Sequence, residues 1–147
     1  METILGRVHE DPQRLSALDL AFVGDGVFDL LCRELLLEGG SRPVKKLHQR
    51  KTDLVCCKAQ AEALRTLWPS LSEQEQAVAL RGRNAHVGHV PKNASTADYH
   101  GATALEALFG WLYLRGETDR LNELFEAMME EAKNALAGAP KSAWRET

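Results

Sequence analysis

Two stretches of this chain are apolar on nearly every side, and each carries a single acid at its centre. In the first, Leu18, Leu20, Ala21, Phe22, Val23, Val27, Phe28, Leu30 and Leu31 surround Asp25, which sits between Gly24 and Gly26. In the second, Ala102, Ala104, Leu105, Ala107, Leu108, Phe109, Trp111 and Leu112 surround Glu106. A helix that is hydrophobic all round is a buried one. A carboxylate left charged in such a place costs several kcal/mol unless it is paired or bound to a cation. Each glycine costs roughly 1 kcal/mol in a helix interior, so both point to close backbone approach rather than to helix stability. Two arrangements satisfy the acids. Each reaches its own Lys, Arg or solvent, or the two meet and a divalent cation relieves their repulsion. Asp29, one turn after Asp25, either extends such an acidic cluster or is an ordinary exposed acid.

The rest of the chain reads as helices joined by short breaks. Ser16 caps a helix over Ala17–Glu38, which stops at Gly39-Gly40. Pro43 opens a second stretch that runs, with one break, to Leu67, before Pro69. Ser72 caps Glu73–Arg83, with Glu75 placed for a capping box. Residues 84–97 read as a loop, Tyr99–Arg115 as a helix, and Asp119 as the cap of a last helix reaching about Leu136. The expectation is a single all-α domain over residues 1–137 and a flexible tail over 138–147. A length of 147 residues suits one domain with its own core. A content of 44% hydrophobic and 27% charged residues excludes disorder, collagen-like repeats and coiled coil.

No segment reads as a signal peptide or a membrane span: the apolar runs 17–31 and 102–114 are short and broken by acids. Three cysteines, two of them adjacent, make neither a disulfide framework nor a zinc knuckle. Cys32, Cys56 and Cys57 read as small core hydrophobes of a cytoplasmic protein. His86 and His89 have a ligand-like spacing, but no third or fourth ligand lies close in sequence.

Charge is arranged in blocks: the net is −5 over residues 1–41, +6 over 42–93 and −4 over 94–147. A basic middle between acidic ends suits a polyanion, although Lys and Arg on solvated helix faces give the same pattern. Lys45, Lys46 and Arg50 lie on one basic helix, and Arg81, Arg83, Asn84, Lys92 and Asn93 lie on or beside the 84–97 loop.

The segment from Leu18 to Phe28, with Val23-Gly24-Asp25-Gly26-Val27 at its heart, resembles the signature helix of the ribonuclease III family. Ala104-Leu105-Glu106-Ala107-Leu108-Phe109-Gly110 is similar to that family's second catalytic helix. Arg81-Gly82-Arg83-Asn84 and Pro91-Lys92-Asn93 resemble the loop motifs of its mini-ribonuclease III branch, a catalytic domain without a double-stranded-RNA-binding domain. The resemblance covers roughly Leu15 to Leu124. The larger family has Glu at the positions of Leu18 and Ala21 and Asp at Thr103, and the mini branch shares this thinning.

The resemblance implies a ribonuclease III-like fold, dimeric through the signature helix, with Asp25 and Glu106 catalytic and binding Mg2+, for which Mn2+ substitutes. It implies cleavage of both strands of double-stranded RNA, leaving 5′-phosphate and 3′-hydroxyl ends, in the maturation of 23S ribosomal RNA precursor. A large-subunit ribosomal protein is a candidate partner. Duplex RNA is read through its backbone and 2′-hydroxyls, a task for Arg81, Arg83, Asn84, Lys92, Asn93, Lys45, Lys46 and Arg50. The alternative is a non-catalytic RNA-binding or ribosome-assembly module that kept the fold; retention of Asp25 and Glu106 inside apolar helices argues for the enzyme.

Overall fold

The structure is a computed structural model that describes residues 11–38, 40, 43–85 and 89–137, with side chains through residue 131. The tail expected to be flexible, 138–147, lies outside the described residues. A 3-10 turn, Pro12–Arg14, leads into six helices: α1 (Ala17–Glu38), α2 (Val44–Val55), α3 (Cys57–Leu67), α4 (Glu73–Arg83), α5 (Thr96–Leu114) and α6 (Thr118–Ala137). No strand occurs among the described residues.

Local sequence accounts for most of the boundaries. The Ser16 hydroxyl accepts from Asp19 N–H at 3.0 Å at the start of α1. Ser72 and Glu75 form a reciprocal capping box at α4, with bonds of 3.1 and 2.8 Å. The expected break in the second stretch falls at Cys56, whose extended backbone separates α2 from α3. Two starts differ from expectation. Helix α5 begins at Thr96, inside the expected loop, because the Ser95 hydroxyl caps Asp98 N–H at 3.1 Å. Helix α6 begins at Thr118, which puts Asp119 in its first turn rather than at its cap.

Helix α5 is the axis of the domain. Between Ala102 and Leu114 every residue but Glu106 and Tyr113 is buried, with α1, α3, α4 and α6 packed around it. Its tightest crossing is with α1. A Cβ on Gly24 would overlap the Glu106 carbonyl and lie 2.8 Å from the Gly110 nitrogen, and one on Gly110 would overlap the Leu20 carbonyl. The backbones therefore touch, which only glycine at both positions permits. Gly26, by contrast, has nothing within 4 Å of its missing Cβ, so close approach explains only the first of the two glycines flanking Asp25. Phe28 sits edge-on to Phe109 and Phe125, with ring centroids 5.7 and 5.8 Å apart, and joins α1, α5 and α6 in one core.

The all-round burial expected for α1 is not what one protomer shows. Phe28, on the signature helix, is in the core at 1% exposure. Leu18 and Leu30 are exposed, and Phe22 is 83% exposed. With Gly26 they form a strip at four-residue spacing on the side of α1 that α5 leaves uncovered. The cysteines divide as well. Cys32 is buried, Cys57 half-buried and Cys56 exposed, because the α2–α3 break turns Cys56 outward.

One polar lock holds α6 to the start of α4. The Arg120 guanidinium reaches both carboxylate oxygens of buried Glu75 at 2.8 and 2.9 Å, and the Ser70 carbonyl at 2.9 Å. The Arg120 hydrogen bond, opposed by burial, holds the Glu75 carboxyl below its ordinary range.

Substituting Gly24→Ala or Gly110→Ala forces the α1–α5 crossing apart. A loss of about 3 kcal/mol in urea unfolding is expected, and a loss under 0.5 kcal/mol would remove the crossing as the organising contact.

Candidate active site

The α1–α5 crossing brings together the two acids that the sequence sets apart by 80 residues. Gly24 rests on the Glu106 backbone, so Asp25, the next residue, stands beside the Glu106 side chain. The two carboxyl groups are hydrogen-bonded to each other. Asp25 is exposed, whereas Glu106 is half-buried in the crossing. Burial first, and then the hydrogen bond and charge of Asp25, push the Glu106 carboxyl up to about 8. Among the described residues neither acid has a Lys or Arg partner within ion-pair distance. The first arrangement open to the sequence, each acid on its own cation, is not the one adopted.

Asp29 takes the opposite course. Arg33 binds it at 2.6 Å and Lys51 at 3.0 Å, which ties α1 to α2. Burial raises its carboxyl, but the hydrogen bonds from Arg33 and Lys51 outweigh that and hold it below its ordinary range. Asp29 is an ion-pair residue and does not extend the acidic pair.

One group near the pair had no signal in the sequence. The Cys57 thiol, at the start of α3, is pushed up by burial, then by the charges of Glu106, Cys56 and Asp98. Cys57 therefore lies within reach of the Glu106 charge, brought there by the packing of α3 against α5. At Thr103, where the larger family has Asp, a buried hydroxyl donates to the Tyr99 carbonyl at 3.0 Å. Ala21, at one of the absent Glu positions, is buried, and Leu18, at the other, belongs to the exposed strip.

Among the described residues no group of three or more His, Cys, Asp or Glu forms a complete metal-binding set. The Asp25–Glu106 pair nonetheless fits a hard divalent cation: the donors are oxygens, the charges repel, and one carboxylate stands open to solvent. Such an ion keeps several waters and takes one or two carboxylates, with substrate phosphate completing its shell.

The basic candidates separate into groups. Lys45 and Lys46 are exposed on α2, while Arg50 is half-buried and engaged in a contact of its own. Arg81 donates to the Leu15 carbonyl at 3.0 Å, a tie to the entry of α1. Arg83 and Asn84 are exposed at the end of α4, and Lys92 and Asn93 are exposed in the turn before α5. His86 lies outside the described residues, and His89 is exposed.

The raised Glu106 carboxyl has a consequence for stability. It favours the fold fully below its ordinary value of 4.5, and that contribution is lost as pH rises toward about 8, because the unfolded chain ionises first. In EDTA, the melting temperature of wild type relative to Glu106→Gln is expected to fall across that window. A difference independent of pH would mean that Glu106 ionises normally.

Comparison with known proteins places the chain. The ribonuclease III domain matches residues 18–117. The mini-ribonuclease 3 of Symbiobacterium thermophilum is 44% identical over 117 residues, 80% of this chain and 90% of that protein. The mini-ribonuclease 3 of Brevibacillus brevis is 43% identical over 79% of this chain and 87% of its own. A crystal structure of a Fusobacterium nucleatum protein superposes with a TM-score of 0.75 at 25% identity, covering 84% of this chain and 99% of that one. Ribonuclease III proteins generally depend on a divalent metal, act on double-stranded RNA and dimerise. With matches of this extent over the span that holds Asp25 and Glu106, the chain belongs to the ribonuclease III family, in its mini-ribonuclease 3 branch, and is an endoribonuclease.

Proposed function

We propose that this chain is a magnesium-dependent endoribonuclease that cuts double-stranded RNA to mature the ends of 23S ribosomal RNA precursor, with Asp25 and Glu106 as its catalytic, metal-holding pair. The observation that carries the assignment is the meeting of two carboxyl groups, without a Lys or Arg partner among the described residues, at a backbone crossing. Magnesium, or manganese in its place, supplies charge neutralisation at the phosphoryl oxygens and a nucleophilic water at working pH. The chain's own residues do the positioning. Gly24 and Gly110 fix the separation of the helices and hence of the acids. Asp25, exposed, would offer its carboxylate to the metal on the solvent side, where a phosphate can approach, and Glu106, half-buried, holds its carboxyl in one place. Beside Asp25 alone the Glu106 carboxyl is held up to about 8 and keeps a proton at neutral pH; a bound divalent cation would favour its ionised form.

RNA would be held by the basic middle of the chain. Arg83, Asn84, Lys92 and Asn93 are exposed on the two sides of one connection, and Lys45 and Lys46 are exposed on α2. Arg81 and Arg50, which have intramolecular partners, belong to the same set as supporting cations. The catalytic domain is assigned to residues 1–137, with a cytoplasmic setting and a large-subunit ribosomal protein as an assisting partner. No described helix is long and apolar enough to cross a membrane.

A homodimer places one pair of acids on each strand of the duplex. The strip formed by Leu18, Phe22 and Leu30 supports it, because so exposed a row of large apolar side chains is a surface that a partner buries. Phe22→Asp is expected to convert the dimer to monomer in size-exclusion chromatography with light scattering; an unchanged dimer would move the interface elsewhere.

The activity is tested with a labelled duplex-containing fragment of 23S precursor, in magnesium or in EDTA. Wild type is expected to cut both strands in magnesium only. Asp25→Asn and Glu106→Gln should lower the rate by at least about a thousandfold with folding and RNA binding retained. Turnover by either variant near the wild-type rate would remove that residue from catalysis.

A further inference from the structure

A cleft of about 770 Å3 opens between α3, α4 and the first turns of α5, larger than the other two clefts described, of about 350 and 230 Å3. Its inner surface is small and apolar, with Ala61, Ala79 and Ala104, and its sides carry Arg65, Trp68, Leu80, Arg83, Asn84 and His100. Three features mark it as a built site. First, no acid is among the described residues that line it, in a chain with 21 of them. Second, the Arg65 and Arg83 guanidiniums have no partner among the described residues. Every other described arginine has one: Arg14, Arg33, Arg115 and Arg120 pair with acids, Arg81 bonds a carbonyl, and Arg50 is engaged. Third, Leu80 is 38% exposed beside half-buried Trp68, which leaves aliphatic and aromatic surface open within the cleft.

The polar groups are arranged for recognition. His100 Nδ1 lies 2.8 Å from the Arg83 carbonyl, which can only accept, so Nδ1 carries the hydrogen. The neutral ring then offers Nε2 as an acceptor, and Asn84 adds a donor and an acceptor of its own. Flat apolar surface, unpaired guanidiniums and an amide are groups that bind a nucleobase and its phosphates. A paired helix cannot use such a cleft, because its bases are stacked inside and its groove edges cannot enter. An unpaired nucleotide can.

We propose that this cleft receives an unpaired nucleotide of the RNA substrate, its base against Trp68 and Leu80 and its phosphates on Arg65 and Arg83. The inference rests on the reading of the chain as an RNA-cleaving enzyme and adds a determinant of which duplexes it selects: those carrying a bulge or single-stranded flank beside the paired segment. RNA rather than a free nucleotide is favoured because Arg83 and Asn84 stand exposed at the start of the same connection that carries exposed Lys92 and Asn93, cations and amides suited to a backbone.

The test uses Ala97, exposed in the first turn of α5 and part of the cleft lining. Ala97→Glu introduces the acid the cleft lacks, at a helix position where an acid is favourable, and Ala97→Gln is its neutral match. Binding is measured in EDTA to a perfect duplex and to the same duplex with one unpaired 2-aminopurine nucleotide, whose fluorescence falls on stacking. Wild type and Ala97→Gln are expected to bind the second RNA about tenfold more tightly and to quench it. Ala97→Glu should lose preference and quenching while cutting the perfect duplex in magnesium at the wild-type rate. Equal wild-type affinity for the two RNAs, or a preference that survives Ala97→Glu, would overturn the cleft's role and leave the nuclease intact. Displacement of the quenched RNA by an equal concentration of free adenosine monophosphate would assign the cleft to free nucleotides and overturn the RNA proposal. Failure of wild type to bind or cut either RNA would overturn the cleft and the nuclease reading together.

Discussion

Backbone contact between two helices is the constraint on which the rest of this domain depends. With hydrogen at Gly24 and Gly110, α1 and α5 approach until the Cα of one lies on the peptide groups of the other. That approach buries α5 on every side and brings Phe28 onto Phe109 and Phe125. It also sets the neighbouring residue, Asp25, against Glu106. Packing and chemistry thus share one contact. A wider crossing would open a void in a core that tolerates few and would separate the acids in the same movement.

The acids of this chain follow two separate logics. Glu75 and Asp29 are enclosed by cations, Arg120 for the first and Arg33 with Lys51 for the second, and both carboxyls are held below their ordinary range. They act as clasps between helices. Asp25 and Glu106 have each other, and the result is a carboxyl raised to about 8. Once both ionise, as pH rises toward that value, like charges stand together and work against the fold, and this is why the pair is proposed to serve chemistry rather than stability. The arginines divide along the same line. Among the described residues most have a partner, and Arg65 and Arg83 are left over, both lining one cleft.

Much of the architecture was legible in the residues. Ser16, the Ser72–Glu75 box and the break before Pro69 give the helix ends because caps and breakers act within a turn. The start of α5 was missed because Ser95 lies close behind Pro91 and Asn93, whose turn signals mask a cap. Of the site, Asp25 and Glu106 stood out as acids in apolar surroundings, and the motif resemblance joined them. Cys57 did not stand out, since nothing near it in sequence refers to Glu106. All-round apolarity correctly placed α5 in the core but overstated the burial of α1, because a strip facing solvent and a strip facing the core have the same composition.

By itself, then, the sequence determined the helices, the single domain, the basic middle and the two acids that no apolar helix holds without a reason. These are local properties, set by side-chain chemistry and short-range spacing. Tertiary structure alone decided that Gly24 and not Gly26 is the point of contact, that Asp29 goes to Lys51 rather than to Asp25, and that Phe28 turns inward while Phe22 stays out. It also decided that Arg65 and Arg83, on different helices, face one cleft. Each of these depends on which face of one helix meets which face of another, and that choice is made by the shape of the whole core at once.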